Sequence, residues 1–224
     1  MKQKFGSKLL SFLLTLVMVI GLLPGMSLTA YAATETYTNL MNNKTVVKFN
    51  NHDWYIIADD STATGGTVTL LAADTSFGRS QFDSTSRYSN AYSSSTVKGV
   101  LDALTEGNGA FASVKDAIAD TNLSDVGVNG AKLYLLSKSE AGPYADFKFT
   151  GAPNDGWWLC SPGNNDNKAA CVNGDNGNVN DNGNNVKNTL GVRPRIARQP
   201  EVHGRLHGPV HRAKEPGSFL RRHP

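Results

Sequence analysis

Between residues 164 and 188, 11 of 25 side chains are asparagine, joined by three aspartates and three glycines. Such a stretch cannot build an apolar core, because every buried amide needs hydrogen-bond partners of its own. Yet it is bracketed by Trp157-Trp158-Leu159 and by Leu190-Gly191-Val192-Arg193-Pro194, both of which read as anchoring sequence. The segment is therefore expected as exposed turns and strand faces on a core that other parts of the chain supply. Asn173-Gly174 and Asn182-Gly183 mark tight turns, since both residue types tolerate positive φ.

These amides suit noncovalent recognition. Each one donates and accepts hydrogen bonds, and Asn, Gly and Ser form the adaptable polar part of binding surfaces, with Tyr and Trp as rigid anchors. The candidate ligand-binding residues are Asn164, Asn165, Asp166 and Asn167 at the start of the segment. Asn173, Asp175, Asn176 and Asn178 follow, and Asn180, Asn182, Asn184, Asn185 and Asn188 close it. Trp157 and Trp158 are expected to support this surface, and Arg193-Pro194 to close its frame. A solvated low-complexity loop is the alternative reading of the same residues.

The rest of the body supplies the frame. Residues 45–49 (Thr-Val-Val-Lys-Phe) and 54–58 (Trp-Tyr-Ile-Ile-Ala) flank Asn50-Asn51-His52-Asp53 and predict a hairpin, with a third strand at 67–73. Ser93–Ser95 can cap a helix beginning near Thr96, on which Val97, Val100, Leu101 and Leu104 fall at helical spacing. A second helix is expected over 112–119, and Gly127 to Gly130 ends this helical middle. Further strands are expected at 131–137, 157–160 and 169–172. Strands, then helices, then strands favour an α+β domain over a doubly wound sheet.

Charge divides the 224 residues into three regions. Lys2, Lys4 and Lys8 precede an apolar run that ends on Ala30-Tyr31-Ala32, the pattern of an export signal cleaved after Ala32. Residues 1–32 are thus a predicted signal peptide. No membrane span is expected after cleavage, and the mature protein is expected to be secreted or at the cell surface. Residues 33–196, the predicted domain, carry 13 basic against 17 acidic side chains, so no basic stripe offers itself to nucleic acid. Residues 197–224 hold five Arg, four His and four Pro with little hydrophobic periodicity, and read as a basic tail, disordered or out of frame.

Signals for catalysis are sparse. His52 is the only histidine of the body and is placed in the predicted hairpin turn, so it reads as an exposed turn residue. Cys160 and Cys171 lie in an exported chain, where a disulfide is permitted; two free, partly buried thiols are the alternative. Without a second metal-binding pair they make no zinc site. Asn178-x-Asn180-x-Asn182-Gly183 follows the first half of a calcium loop, but its ligand positions are neutral and Thr189 stands where a bidentate Glu is needed. No cofactor, no metal and no enzymatic activity are expected.

Several of these segments occur in a familiar order. Leu133-Tyr134-Leu135-Leu136-Ser137 with Glu140-Ala141, Trp157-Trp158-Leu159-Cys160-Ser161-Pro162-Gly163, Ala169-Ala170-Cys171-Val172, Gly177-Asn178-Val179 and Gly191-Val192-Arg193-Pro194 follow one another. They resemble an uncharacterised family of exported gut-bacterial domains with a C-type-lectin-like fold of the formylglycine-generating-enzyme type. The same region is similar to the variable proteins of diversity-generating retroelements. The likeness covers roughly residues 45–196 and implies mixed sheets with two helices. It further implies that template adenines are miscopied, so that Asn codons become other residues on the ligand-facing surface. Asp166, Asp175, Asp181 and Cys171 are products such miscopying can give. The chain departs from the family at Cys160, where Arg is usual, and at Arg195, where the ending is usually aliphatic. The copper-binding cysteine pair of the fold's enzyme branch does not map onto Cys160 and Cys171. The implied function is calcium-independent binding of a protein or glycan outside the cell. A fixed adhesin or cell-wall-associated carbohydrate-binding module of the same fold is the alternative.

Overall fold

The computed structural model describes residues 36–145, 147 and 156–200. The predicted leader, its cleavage site after Ala32 and most of the predicted tail lie outside these residues. Among the described residues no helix is long and apolar enough to cross a membrane.

The domain is α+β. Helix α1 (Tyr37–Asn42), capped by the Thr36 hydroxyl, leads into β1 (Val46–Phe49), β2 (His52–Asp59) and β3 (Val68–Ala72). After β4 (Arg79–Gln81) come α2 (Thr96–Ala103), β5 (Thr121–Leu123), β6 (Val128–Ala131), β7 (Tyr134–Leu135) and α3 (Lys138–Ala141). The last part is all strand: β8 (Trp157–Pro162), β9 (Lys168–Val172), β10 (Val179–Asn185), β11 (Thr189–Gly191) and β12 (Pro194–Arg198). One sheet runs β1-β2-β3-β12-β7 and a second β10-β9-β8-β11-β4, with β5-β6 as a separate ribbon. The first sheet is wholly antiparallel, whereas the second is mixed through the parallel β8–β11 pair.

Side chains alternate along each central strand, as a period of two requires. Trp54 and Ile56 of β2, Leu70 of β3, and Trp158 and Cys160 of β8 enter the main core. Tyr55, Ile57, Leu71, Trp157 and Leu159 enter a second cluster on the opposite faces. β8 therefore has both faces covered. A bond from Cys160 N–H to the Leu136 carbonyl (2.9 Å), just after β7, joins the two sheets.

The opening meander forms where it was expected, but its first turn is shorter. Asn50 (φ 50°) and Asn51 (φ 63°) alone make it, so Phe49 pairs with His52 and the strand begins two residues early. Left-handed conformations at both positions match the twist of the flanking strands. Helix α2 begins at Thr96 with the Ser95 hydroxyl as its cap, and Val97 and Leu101 are buried while Val100 faces solvent.

Several expectations need correction. The second helix is a 3-10 helix over Ala112–Ala117. Ile118 turns extended and bridges to Arg198, while Ala119 N–H bonds the Ala197 carbonyl and Gln199 N–H the Ala117 carbonyl. Pairing with the end of β12 competes successfully with another helical turn. The predicted pair of helices is thus one α-helix and one 3-10 helix, and α1 and α3 went unread. The stretch from Gly127 to Gly130 does not simply end a helix, since it enters the β5–β6 ribbon with Gly127 in the left-handed region. The strand expected at 131–137 divides between β6 and β7, followed by the Ser137/Glu140 capping box of α3. The predicted domain boundary at 196 falls inside β12, because Ala197 and Arg198 pair with Thr69 and Val68.

Candidate functional site

Strands β8, β9 and β10 carry the asparagine-rich segment outward from the buried centre of the second sheet. β10 is its edge strand: Val179 pairs with Val172 and Asn180 with Cys171, then the register shifts before Asn184 meets Ala169. Gly183 makes that irregularity possible. Its φ is +78°, and a β-carbon there would stand 2.4 Å from the Ala169 carbonyl oxygen. A bulge of this kind bends an edge strand and blunts its tendency to pair with another chain.

None of the thirteen candidate ligand-binding side chains is buried. Asn164, Asn165, Asp166, Asn167, Asp175, Asn176, Asn178, Asn182 and Asn188 are exposed, and Asn173, Asn180, Asn184 and Asn185 are half-buried. The chain uses these residues in two different ways. At the first kind of position only the backbone is engaged. The Asn165 carbonyl accepts from Lys168 N–H (3.1 Å) and from the Asn90 side-chain amide (2.9 Å). The Asn167 carbonyl accepts from Val186 N–H, that of Asn178 from Asn173 N–H, and that of Asn182 from Asn164 N–H. The side chains of Asn164, Asn165, Asp166, Asn167, Asp175, Asn178, Asp181 and Asn182 hydrogen-bond no other described residue. At the second kind the amide serves the chain itself. Asn176 Oδ1 accepts from Asn178 N–H (2.9 Å), Asn180 Oδ1 from Gly183 N–H (3.1 Å) and Asn185 Oδ1 from Lys187 N–H (2.9 Å). Asn184 Oδ1 accepts from Asn185 N–H and from the Asn188 amide, and the Asn173 and Asn180 side chains meet at 3.5 Å. These are the local side-chain-to-backbone bonds that suit Asn to turns.

Four of the candidates also line an open cleft of about 410 Å³: Asn173, Asp175, Asn184 and Asn188. Arg79, Gly174, Thr189 and Leu190 complete it. Arg79 was not read from the sequence. It arrives because β4 pairs with β11, and its guanidinium donates to the Thr189 carbonyl (2.6 Å), placing a cation in the same wall as three amides and one carboxylate.

The expected supports lie beneath this surface. Trp158 is fully buried, donates from Nε1 to the Ser80 carbonyl (2.8 Å) and meets Phe82 edge-on at 5.5 Å. Trp157 lies on the opposite face under the Arg193 guanidinium, 5.0 Å from its ring centroid. Arg193 is itself fully buried, donating to the carbonyls of Ala72 (2.8 Å) and Phe147 (3.2 Å); burial lowers its pKa to about 10, which leaves it charged at neutral pH. Pro194, also buried, opens β12.

Cys160 and Cys171 do not pair. Both thiols are free and buried, and Cys171 stands opposite Trp158 across the β8–β9 ladder. Burial pushes the Cys160 thiol up to about 12, helped by the Glu140 carboxylate, and the Cys171 thiol up to about 11. Neither is a thiolate at neutral pH, so neither has the reactivity of a nucleophile.

His52 is not the exposed turn residue expected. It starts β2, half-buried, with its ring stacked on Phe77 (4.5 Å) and Phe111 (5.2 Å). Burial lowers its pKa, outweighing the opposing pull of Asp74 and Asp53. Nδ1 lies 2.6 Å from Ser76 Oγ, but no carboxylate among the described residues hydrogen-bonds the ring to orient it as a base. Asn178, Asn180 and Asn182, the calcium-loop pattern, lie beside or within β10, with Asn180 turned back on Gly183. Among the described residues no group of three His, Cys, Asp or Glu gathers. No protein-family model, curated protein or solved structure matches the chain.

Proposed function

We propose that the protein is an exported binding protein whose asparagine-rich surface is a diversified ligand site of the diversity-generating retroelement kind, carried on a C-type-lectin-like frame. The observation that carries this reading is the division of labour within residues 164–188. At eight positions no side chain is used by the fold, whereas the neighbouring backbone is fixed by carbonyl and amide bonds that any residue except proline can make. Exposed positions of that sort change stability by roughly 0.5 kcal/mol either way when substituted. Sequence change there alters what is bound and leaves folding intact. Support for the frame comes from β12, which returns to pair beside the opening meander, and from the second, mixed sheet that presents β10. Binding rather than turnover is further supported by the protonated thiols and the stacked imidazole.

The rival reading, a fixed adhesin or wall-associated carbohydrate-binding module, draws on Asn173, Asn176, Asn180, Asn184, Asn185 and Asn188, whose amides bond within the chain. Sequencing sibling genes and flanking DNA separates the two. Substitutions are expected at the eight unengaged positions and at adenines of a nearby template repeat, and rarely at those six or at Gly183. Substitutions scattered evenly over the domain, with no template repeat beside a reverse-transcriptase gene, would rule out diversification.

A further inference from the structure

The recognition surface needs a rigid aromatic anchor, and the tryptophans of its own strand cannot provide one because both are buried. An exposed aromatic stands next to it instead. Tyr88 is 50% exposed and holds a φ of +52°, a conformation that is a true outlier for a bulky side chain and is costly to hold. It belongs to the stretch Ser84-Thr85-Ser86-Arg87-Tyr88-Ser89-Asn90-Ala91-Tyr92-Ser93-Ser94-Ser95, in which six of twelve residues are serine. Tyrosine, serine and asparagine around an occasional arginine is the composition of antibody loops that bind folded proteins.

This loop is braced at both ends. The buried Asp83 carboxylate accepts from Ser89 N–H (2.8 Å) and Thr85 N–H (2.9 Å), and the buried Tyr92 hydroxyl accepts from Leu135 N–H (3.2 Å). It is also tied to the asparagine-rich segment. Asp83 N–H bonds the Val186 carbonyl (3.1 Å), the Asn90 amide bonds the Asn165 carbonyl, and the Lys187 ammonium bonds the Thr85 carbonyl while lying 4.4 Å from the Tyr88 ring centroid.

We infer that residues 84–91, with Tyr88 as anchor and Arg87 beside it, form the constant half of a composite protein-binding surface whose variable half is the exposed part of residues 164–188, and that the partner is a folded protein. This rests on the reading of residues 164–188 as a ligand site. An amphipathic ring held rigidly loses little freedom on binding, and preorganisation of this kind strengthens affinity. The strained φ is explained because a ring at that place is worth more to binding than the conformation costs in stability. Among the described residues the other exposed large apolar side chains are Val46 and Val100, so a partner is engaged through polar contacts arranged around this ring.

The test is a display selection on the full chain, with residues 164–167, 178, 181 and 182 randomised, against lysozyme as a folded probe protein and in parallel against dextran. Binders to lysozyme are expected. Introducing Tyr88→Asn into each should weaken Kd about tenfold or more, as for an interface hot spot. The thermal midpoint should hold, because Asn tolerates positive φ. Tyr88→Phe should retain most of the affinity. Lysozyme binders that are indifferent to Tyr88→Asn would overturn the anchor and leave the recognition surface standing. Binders to dextran alone would overturn the protein partner, and no binders to either probe would sink the underlying reading together with this one.

Discussion

Gly156→Ala is expected to destabilise the domain by about 3–5 kcal/mol, a large part of the roughly 5–15 kcal/mol that holds a domain together. Gly156 precedes β8 with a φ of +78°, and a β-carbon there would sit 1.8 Å from the Val172 carbonyl oxygen and 2.9 Å from Gly174 N. Both neighbours are backbone, so no rotamer change relieves the overlap. The only relief is to separate β8 from the turn that follows β9, which is where the asparagine-rich segment is held. Denaturant unfolding of the purified variant measures the loss. A change below about 1 kcal/mol would mean that β8 and β9 do not meet as described. Gly183→Ala should act in the same direction through the Ala169 carbonyl, with the damage centred on β10.

Trp158→Ala is expected to cost about 3–5 kcal/mol as well, by a different route. The side chain is fully buried between the main core and β4, so its removal leaves a void and also strips the Ser80 carbonyl of its Nε1 donor. Trp158→Phe fills most of the space but removes the Nε1 donor from the part-buried Ser80 carbonyl, so its cost should lie near about 0.5–1.5 kcal/mol, the net contribution of one hydrogen bond. Parallel urea melts of the two variants separate packing from hydrogen bonding. Equal losses would show that the indole N–H contributes nothing.

These two residues show where the sequence was informative. Trp158 sits in a run of apolar and aromatic residues whose burial is what any core demands, and the alternation of β2, β3 and β8 followed from the same pattern. That none of the thirteen candidate residues is buried was legible too, because amides in such number have nowhere else to go. Register was not. Nothing in local composition says that β12 enters between β3 and β7, or that β4 joins β11 and thereby delivers Arg79 to the cleft. Those pairings are set by contacts far apart along the chain, such as that between Arg79 and Thr189, 110 residues apart. Ile118 was misread for a related reason: helical spacing was present, but the Arg198 backbone offered it a strand partner. The composition of residues 84–95 was a usable signal for Tyr88 and its loop, although without the β10 side of the molecule in view its serines look like ordinary cap and turn residues.

The most direct test is thermal unfolding of the chain with Asn164, Asn165, Asp166, Asn167, Asp175, Asn178, Asp181 and Asn182 all changed to Ser. If the fold uses only their backbone, the variant melts cooperatively with a midpoint within about 5 °C of the parent. A drop of about 15 °C or more, or the loss of a cooperative transition, would show that these side chains hold the structure together and are not free to serve a ligand.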